Sequence, residues 1–185
     1  MSYDRRLDRW VVHHRAGWLD PLFEGLSWIG NSALVWLVLA LVLAMLWRRP
    51  WVFGQVAIAS AASDLAAYGL KLAVGRRRPS AVYGQPEPLI HAPQGPSFPS
   101  GHAATSFACA TTLALLAPRL APALFVLAAA IAWSRVYVGV HYPLDVLAGA
   151  ALGVAVALLF RALWPRTLRW REAGLHRSRR ARRAG

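Results

Sequence analysis

Six ionisable side chains lie within or beside long apolar runs of this sequence, and their types suit a site that handles phosphate. They are Lys71, Arg78, His102, Arg135, His141 and Asp145. An ionisable group at such a position costs free energy, which makes each of them a functional candidate. Three cations can bind an anion, while two imidazoles and a carboxylate can supply a nucleophile and a proton carrier. Phosphoryl transfer needs this combination, because its transition state carries negative charge that must be held and aligned.

The six residues fall in three short segments. Segment 71–79 places a lysine and an arginine seven residues apart and ends in proline, and segment 99–102 reads PSGH. Segment 134–145 contains Arg135, His141 and Asp145. In order and in internal spacing, the three segments resemble the signature motifs of the type 2 phosphatidic acid phosphatase (PAP2) family, in its membrane lipid phosphatase branch.

A phosphate-binding cradle is expected from these segments. Lys71, Arg78 and Arg135 supply three positive charges, and arginine can contact phosphate oxygens through parallel N–H groups. Ser100 and Gly101 open a predicted helix, whose free backbone N–H groups and dipole favour an anion. Glycine leaves room for the backbone to approach the phosphate. The resemblance implies that Ser100 also donates its hydroxyl.

The resemblance assigns the covalent step to His141. Asp145, four residues later, would hold one tautomer of this imidazole and stabilise its charged form. His102 would protonate the leaving alcohol oxygen and later activate water against the phosphohistidine. No metal or cofactor is expected, because three cations already neutralise the phosphate and no carboxylate cluster suits magnesium.

Asp64 is a less direct candidate. At helical spacing it shares a face with Lys71, and it is expected to support the site by pairing with Lys71 or with another buried donor. Taken singly, each candidate could equally form a structural ion pair or contact a lipid headgroup. Their convergence on one face of the predicted bundle favours catalysis.

Five apolar runs must position these residues. They lie near 29–47, 51–74, 100–117, 120–137 and 143–164. Each is long enough for a helix to cross a bilayer, which takes about 20 residues, and prolines lie at their ends. Residues 1–28 mix charged and aromatic side chains, as an amphipathic helix in the membrane interface does. The sequence therefore predicts an all-α polytopic transmembrane helical bundle, with an interfacial segment 1–28, a catalytic domain 29–164 and a basic tail 165–185.

The net charge of +13 comes mostly from arginines between positions 161 and 183. Beside apolar runs, such a cluster indicates membrane topology and contact with anionic lipids, not nucleic-acid binding. Twelve arginines lie on the tail side of the predicted spans and nine lysines or arginines on the other, three of them in the site. The positive-inside rule then predicts a cytoplasmic tail and a site on the outer face of the cell membrane. No cleaved signal peptide is expected.

The expected function is metal-independent hydrolysis of a membrane lipid phosphate or diphosphate through a phosphohistidine. The resemblance implies isoprenyl phosphates, phosphatidic acid or phosphatidylglycerophosphate as substrate types, and the undecaprenyl or decaprenyl type is favoured. A lipid phosphotransferase with the same phosphohistidine stays open, because only the acceptor differs. A non-catalytic phospholipid-binding or transport protein is the alternative from another class, although the sequence contains no inverted repeat to support it. A homo-oligomer is open too, because a partner chain could complete a bundle of five spans.

Overall fold

A computed structural model describes residues 3–163 of the chain, without the side chain of Ser32. Its α-helices are α1 (Tyr3–His13), α2 (Asp20–Ile29), α3 (Leu34–Trp47), α4 (Trp51–Val74), α5 (Pro79–Val82), α6 (Gly101–Leu116), α7 (Ala121–Tyr137) and α8 (Pro143–Leu163). Short 3₁₀ turns lie at Gly17–Leu19, Asn31–Ala33 and Pro118–Leu120. Residues 3–163 contain no β-strand, so the predicted all-α class is confirmed. The predicted basic tail 165–185 lies outside the described residues.

Three helical stretches within residues 3–163 are long and apolar enough to cross a membrane: Trp51–Val82, Pro118–Tyr137 and Pro143–Leu163. A fourth forms if Gly17–Ile29 and Leu34–Trp47, which meet at 63°, count as one broken span. Helix α6 is apolar but has only 16 residues, about 24 Å of length at 1.5 Å per residue. The predicted number of five spans is therefore not confirmed, because it requires the short helices α3 and α6 to cross as well.

The predicted run 29–47 is divided by a break in the backbone. Helix α2 ends at Ile29, and Ala33 then takes a left-handed conformation with φ of 56°. A residue other than glycine rarely adopts this conformation, which cannot continue an α-helix. Helix α3 is thereby reduced to 14 residues. The predicted interfacial segment 1–28 contains two helices, and the second of them adjoins this break.

Helix α6 lies at the centre of the bundle and packs closely against α8. Ten of its residues are buried, and most are alanine, serine or threonine. A Cβ atom added to Gly149 would lie 2.4 Å from the carbonyl oxygen of Ser100, and one added to Gly153 would lie 2.1 Å from that of Ala104. Small residues allow two helix backbones to approach this closely. This contact brings the segments 99–102 and 134–145 together.

An apolar core joins α3, α4, α6 and α7. Trp36, Leu113 and Ile131 are fully buried within it. The indole N–H of Trp36 donates a hydrogen bond to the Ser106 hydroxyl at 3.1 Å, which fixes α3 against α6. Full burial of an apolar side chain of this size stabilises a fold by about 1.5–3 kcal/mol. The helices that carry the predicted site are therefore held in fixed positions.

The two N-terminal helices pack on the end of α7. The rings of Phe23 and Tyr137 stack with centroids 4.0 Å apart, and Val11 is buried in the same apolar cluster. The guanidinium of Arg15 donates to the carbonyl oxygen of Tyr137 at 2.8 Å. Helix α1 is therefore attached beside the beginning of the third motif segment.

Candidate active site

A cavity of about 900 Å³ lies between α3, α4, α6 and the loop at residues 93–96. Its wall contains seven of the nine predicted site residues: Asp64, Lys71, Arg78, Gly101, His102, Arg135 and His141. The other two, Ser100 and Asp145, are fully buried. The backbone N–H of Ser100 donates to the carbonyl oxygen of Asp145 at 2.8 Å. The structure thus brings the three motif segments to one place.

His141 and Asp145 form the predicted pair. The imidazole Nδ1 of His141 lies 3.6 Å from Oδ2 of Asp145, and both residues are almost inaccessible to solvent. Oδ2 also accepts a hydrogen bond from the backbone N–H of Tyr142 at 3.0 Å. Because that bond fixes the carboxylate, a small rotation of the imidazole is enough to bring Nδ1–H into hydrogen-bond range.

The other nitrogen of His141 faces a cation. Nε2 lies 3.1 Å from Nη1 of Arg78, which also donates to the carbonyl oxygen of Val140 at 3.0 Å. A guanidinium can only donate, so Nε2 must be the unprotonated nitrogen that accepts. The proton of a neutral imidazole is then on Nδ1, facing Asp145. The lone pair of Nε2 therefore faces Arg78, and it becomes free to attack when this guanidinium moves its hydrogen bond to a bound phosphate oxygen.

The charge state of His141 agrees with that tautomer. Burial lowers the pKa of this imidazole to about 3, and Arg78 and Arg135 lower it further against the opposing effect of Asp145. His141 is therefore neutral near pH 7 when the cavity contains no anion. A neutral imidazole is the form that can attack phosphorus.

The three cations of the cavity are held by neutral oxygens. Lys71 donates to the carbonyl oxygen of Pro96 at 3.2 Å, and Arg78 donates through Nε to that of Gly95 at 3.0 Å. Arg135 donates to the hydroxyl of Ser27. Among residues 3–163, none of the three forms a salt bridge. A buried cation without a carboxylate partner is compensated when an anion binds beside it, so this group fits an oxyanion such as phosphate.

The beginning of α6 forms another part of the cavity wall. Gly101 and His102 face the cavity, whereas the Ser100 hydroxyl caps the helix by accepting from the backbone N–H of Ala103 at 3.5 Å. The structure thus gives Ser100 a capping role and keeps it off the cavity surface. The positive end of the helix dipole faces the same cavity as the three cations.

Asp64 differs from its predicted role. It lies on the cavity wall, but the ammonium of Lys71 donates to a carbonyl oxygen and not to this carboxylate. Within the described residues, no hydrogen bond or ion pair involves the Asp64 side chain. The expected pairing with Lys71 is therefore not formed.

Three residues that contact the site were not predicted from the sequence. The guanidinium of Arg76 donates to Oδ1 of Asp145 at 2.7 Å and also pairs with Asp4. Ser27 accepts from Arg135. Arg76 stands in the run 76–78 beside the motif arginine, so an excess of cations there was a usable signal. Asp4 and Ser27 lie on helices far from the motifs in sequence, and nothing in the sequence connects them to the site.

Across residues 3–163, no group of three or more histidine, cysteine, aspartate or glutamate side chains is placed to hold a metal ion. The site instead contains one neutral imidazole, a second imidazole and three cations. That arrangement can hold a phosphate group and attack it through nitrogen.

A family profile described as PAP2 superfamily matches residues 33–169. The lipid A 1-phosphatase of Rhizobium johnstonii is 38% identical over 120 residues, which cover 63% of this chain and 49% of that protein. The decaprenylphosphoryl-5-phosphoribose phosphatase of Mycobacterium tuberculosis is 36% identical over 144 residues, which cover 74% and 75% of the two chains. The chain spans about half the length of the lipid A 1-phosphatases that it matches.

Two solved structures have a similar fold. The crystal structure of Aquifex aeolicus LpxE superposes with a TM-score of 0.75 at 26% identity, covering 86% of this chain and 94% of that one. A transmembrane PAP2-type phosphatidylglycerolphosphate phosphatase from Bacillus subtilis gives a TM-score of 0.70 at 27% identity, covering 86% and 83%.

Proposed function

This chain belongs to the PAP2 superfamily, and on that premise we propose that it hydrolyses a membrane lipid phosphate through a phosphohistidine on His141. One observation carries the proposal. The neutral imidazole presents Nε2 to a cavity in which Lys71, Arg78 and Arg135 have no carboxylate partner among the described residues. Such a group of cations beside a nucleophile suits a substrate that brings its own negative charge.

The first chemical step forms a bond between Nε2 of His141 and phosphorus. The bond between phosphorus and the alcohol oxygen breaks, and His102 donates a proton to that oxygen. Dianionic phosphate favours the charged form of His102, since an opposite charge nearby raises the pKa of an imidazole. Asp145 faces the Nδ1–H of His141 and stabilises the positive charge that develops on this ring.

The second step releases phosphate. His102, now neutral, accepts a proton from water, and the oxygen of that water attacks phosphorus. The bond between phosphorus and Nε2 breaks, and His141 returns to its neutral form. The three cations and the first turn of α6 hold the equatorial oxygens in both steps.

The proposed substrate is an amphiphile, because the cavity continues along an apolar surface. Leu37 of α3 and Ala57 and Ala61 of α4 line it away from the cations. Lipid phosphates of the isoprenyl, phosphatidic acid and phosphatidylglycerophosphate types all combine an apolar chain with a terminal phosphate. The names of the similar proteins also concern lipid phosphates.

The proposed location is the cell membrane, with several crossings and the site at the outer face. The apolar helices and the membrane proteins of similar fold support a membrane location. The orientation follows from the positive-inside rule alone, which assigns the arginine-rich tail 165–185 to the cytoplasm.

Phosphate release tests the proposal. Purified protein in detergent is incubated with phosphatidic acid, phosphatidylglycerophosphate and an isoprenyl phosphate, and inorganic phosphate is measured. His141→Ala is the test variant, and His91→Ala is its matched control, because His91 is exposed on a loop outside the cavity. We expect release by the wild type and by the control, and none by His141→Ala. Equal release by His141→Ala would refute the nucleophile assignment.

A labelling experiment distinguishes hydrolysis from transfer. With a ³²P-labelled lipid, acid quenching destroys a phosphohistidine, whereas alkaline quenching preserves it. We expect alkali-stable label on the wild type and none on His141→Ala, followed by label in inorganic phosphate. Label that appears only in a second lipid or sugar alcohol would identify a phosphotransferase.

A further inference from the structure

Arg76 joins two carboxylates that come from opposite ends of the chain. Its Nη1 donates to Oδ1 of Asp145 at 2.7 Å, and its Nη2 pairs with Oδ2 of Asp4. The guanidinium carbon also lies 4.0 Å from the ring centroid of Tyr142. A planar guanidinium held by two carboxylates and an aromatic face has little freedom to rotate.

Asp4 has a second contact in the same place. Its Oδ1 accepts a hydrogen bond from the backbone N–H of Leu144 at 2.8 Å. Leu144 is in the first turn of α8, whose free N–H groups attract a carboxylate. Asp4 is 6% exposed and Asp145 is fully buried. A residue of α1 thus caps the helix that begins beside His141.

We propose that Asp4 and Arg76 are positioning residues for His141, acting through Asp145. Arg76 fixes Oδ1 of Asp145, so that Oδ2 is held facing the imidazole. Arg76 alone would neutralise that carboxylate, but Asp4 balances the added positive charge. The three side chains together carry one net negative charge beside His141, which stabilises the ring when it bears phosphate. The inference rests on the proposed function, and it assigns a role to α1, which precedes the family match at residues 33–169.

The test measures kcat and KM for the best lipid substrate with four variants: Asp4→Asn, Arg76→Gln, Arg76→Lys and the double variant Asp4→Asn/Arg76→Gln. Asp20→Asn is the matched control, because Asp20 also accepts a side-chain hydrogen bond near the N-terminus, from Tyr137 at 2.8 Å, without contacting Arg76. Thermal unfolding in detergent is recorded for each, so that a loss of fold is separated from a loss of turnover.

We expect Asp4→Asn to lower kcat about 10- to 100-fold, as the loss of an outer hydrogen-bond partner does at other sites, with KM within about twofold. Because both residues act through Asp145, the double variant should lose no more than Arg76→Gln alone, and Arg76→Lys should recover part of the rate. Unchanged kcat in Asp4→Asn, or losses that multiply in the double variant, would overturn the positioning role. A wild type that releases no phosphate from any lipid would instead refute the proposed function itself.

A second inference rests on a different observation, the unpaired carboxylate of Asp64. One of its oxygens lies 3.6 Å from the place that a Cβ atom on Gly101 would occupy. The carboxylate of Asp64 therefore lies beside the beginning of α6. On its own helix, α4, Asp64 precedes Lys71 by seven residues, or about 10 Å along the axis. Ala57 and Ala61 continue the cavity beyond it. Asp64 thus lies between the phosphate-binding end and the apolar end.

A carboxylate at this position repels a phosphate dianion, and its burial by a lipid costs further free energy. Both costs are offset when the ligand donates a hydrogen bond to the carboxylate. Asp64 stands beside Gly101, and the next residue, His102, is the proposed proton donor to the leaving oxygen. The part of a lipid phosphate expected nearest to Asp64 is therefore the alcohol next to the bond that breaks. An isoprenyl alcohol offers only C–H groups there, whereas a glycerol or sugar offers a hydroxyl.

We infer that Asp64 selects lipid phosphates with a hydroxyl close to the phosphate ester, such as those of glycerol and sugar alcohols. The inference rests on the proposed function and narrows its substrate class. It departs from the isoprenyl type that the sequence alone favoured. Asp64 acts in this role through its contact with the substrate alcohol, not through the bonds that form and break.

Two glycerolipids make a matched pair of probes. Phosphatidylglycerophosphate has a hydroxyl next to the carbon that bears its terminal phosphate, and phosphatidic acid with the same acyl chains has none. We expect Asp64→Ala to lower the ratio of their kcat/KM values about tenfold or more, which is typical of a lost hydrogen bond to a charged group. Ser63→Ala, next to Asp64 on the same helix, should keep the ratio, because Ser63 is buried outside the cavity. An equal effect of Asp64→Ala on both lipids would overturn the inference, whereas a wild type inactive on both and on an isoprenyl phosphate would refute the proposed function.

Discussion

Gly153 of α8 lies against the backbone of Ala104 in α6, so closely that a Cβ atom at position 153 would come within 2.1 Å of the Ala104 carbonyl oxygen. The same two helices carry His102 and Asp145. The distance between the helices therefore determines how far His102, the proposed proton donor, stands from Asp145, which is proposed to orient His141. The geometry of the candidate site thus depends on a helix contact that contains none of the candidate site residues.

Gly153→Ala should destabilise the protein. The added methyl group would collide with backbone atoms, and no side-chain rotation can relieve that collision. We therefore expect a loss of about 1–3 kcal/mol in unfolding free energy and a lower rate of phosphate release. Gly54→Ala is the same substitution at a helical glycine with open space around it, and it should be neutral or stabilising by up to about 1 kcal/mol. Thermal unfolding in detergent compares the two. Equal melting temperatures would show that α6 and α8 are not in close contact.

Asp145→Asn should lower kcat by at least about 100-fold, because an amide cannot stabilise the charged ring of His141 and leaves Arg76 without its second carboxylate. KM should change little, since Asp145 does not line the cavity. Steady-state phosphate release gives both constants. A variant that raises KM alone would place Asp145 in substrate binding.

Arg135→Lys should weaken anion binding while preserving the charge. Lysine lacks the forked donor geometry of arginine, so the inhibition constant of vanadate should rise about tenfold. Vanadate resembles phosphate during transfer and should compete with the lipid substrate. Arg77→Lys is the control, because Arg77 is an exposed arginine, next to Arg78 in sequence, that does not line the cavity. Vanadate inhibition that is non-competitive in the wild type would contradict binding in the cavity.

Stability should depend on pH through Asp8. This carboxylate is fully buried, and neither of its oxygens has a hydrogen-bond partner among residues 3–163. Burial, with a smaller contribution from Asp4, raises its pKa to about 7 from an ordinary value of 3.8. The folded state therefore binds the proton more tightly than the unfolded state. The contribution of Asp8 to the free energy of unfolding is therefore fully present below pH 3.8 and is lost as the pH rises through about 7.

Asp8→Asn mimics the protonated form and should remove this dependence. Near pH 4 the variant and the wild type should melt at similar temperatures. Above pH 7 the variant should be more stable by about 1–2 kcal/mol, or several degrees in melting temperature. Melting curves at pH 4.5, 6 and 8 measure the difference. A difference that is the same at all three values would show that Asp8 does not titrate in this range.

Metal chelation should leave the activity intact. Excess EDTA removes divalent ions, whereas the proposed phosphate cradle consists of Lys71, Arg78 and Arg135. We expect most of the rate to remain, because added EDTA changes only the ionic screening of exposed charges. Loss of activity that added magnesium restores would contradict a metal-independent site.

Much of the candidate site could be predicted because its residues lie in short segments with fixed spacing. The segment 99–102 begins a helix, and segment 134–145 crosses a single turn, so local geometry brings their side chains to one end of the bundle. Lys71 lies in the last turn of α4, and Arg78 lies in the segment that follows this helix. Such local relationships depend on few residues and can be read from the sequence.

The remaining features depend on contacts between distant parts of the chain. Asp4 and Arg76 meet only because α1 packs on α7 and α8, which no periodicity indicates. Asp64 was expected to pair with Lys71 or with another buried donor, but the ammonium of Lys71 donates to the loop carbonyl of Pro96, a contact that the sequence does not indicate. The predicted run 29–47 looked continuous because its residues are apolar, and apolarity does not reveal the left-handed residue Ala33.

Because α3 has only 14 residues and exposes Val38, Leu41 and Met45, a bilayer around it is thicker than the helix is long. Lipids next to a short apolar segment respond by thinning, at a cost of a fraction of a kcal/mol per ångström. Thinning beside α3, which lines the cavity through Leu37, would lower the headgroup layer toward the cavity. A lipid could then present its phosphate to His141 while more of its chain stays in the hydrocarbon layer. The rate of turnover would then depend on acyl chain length in the host membrane, and bilayers of shorter-chain lipids would support the faster reaction.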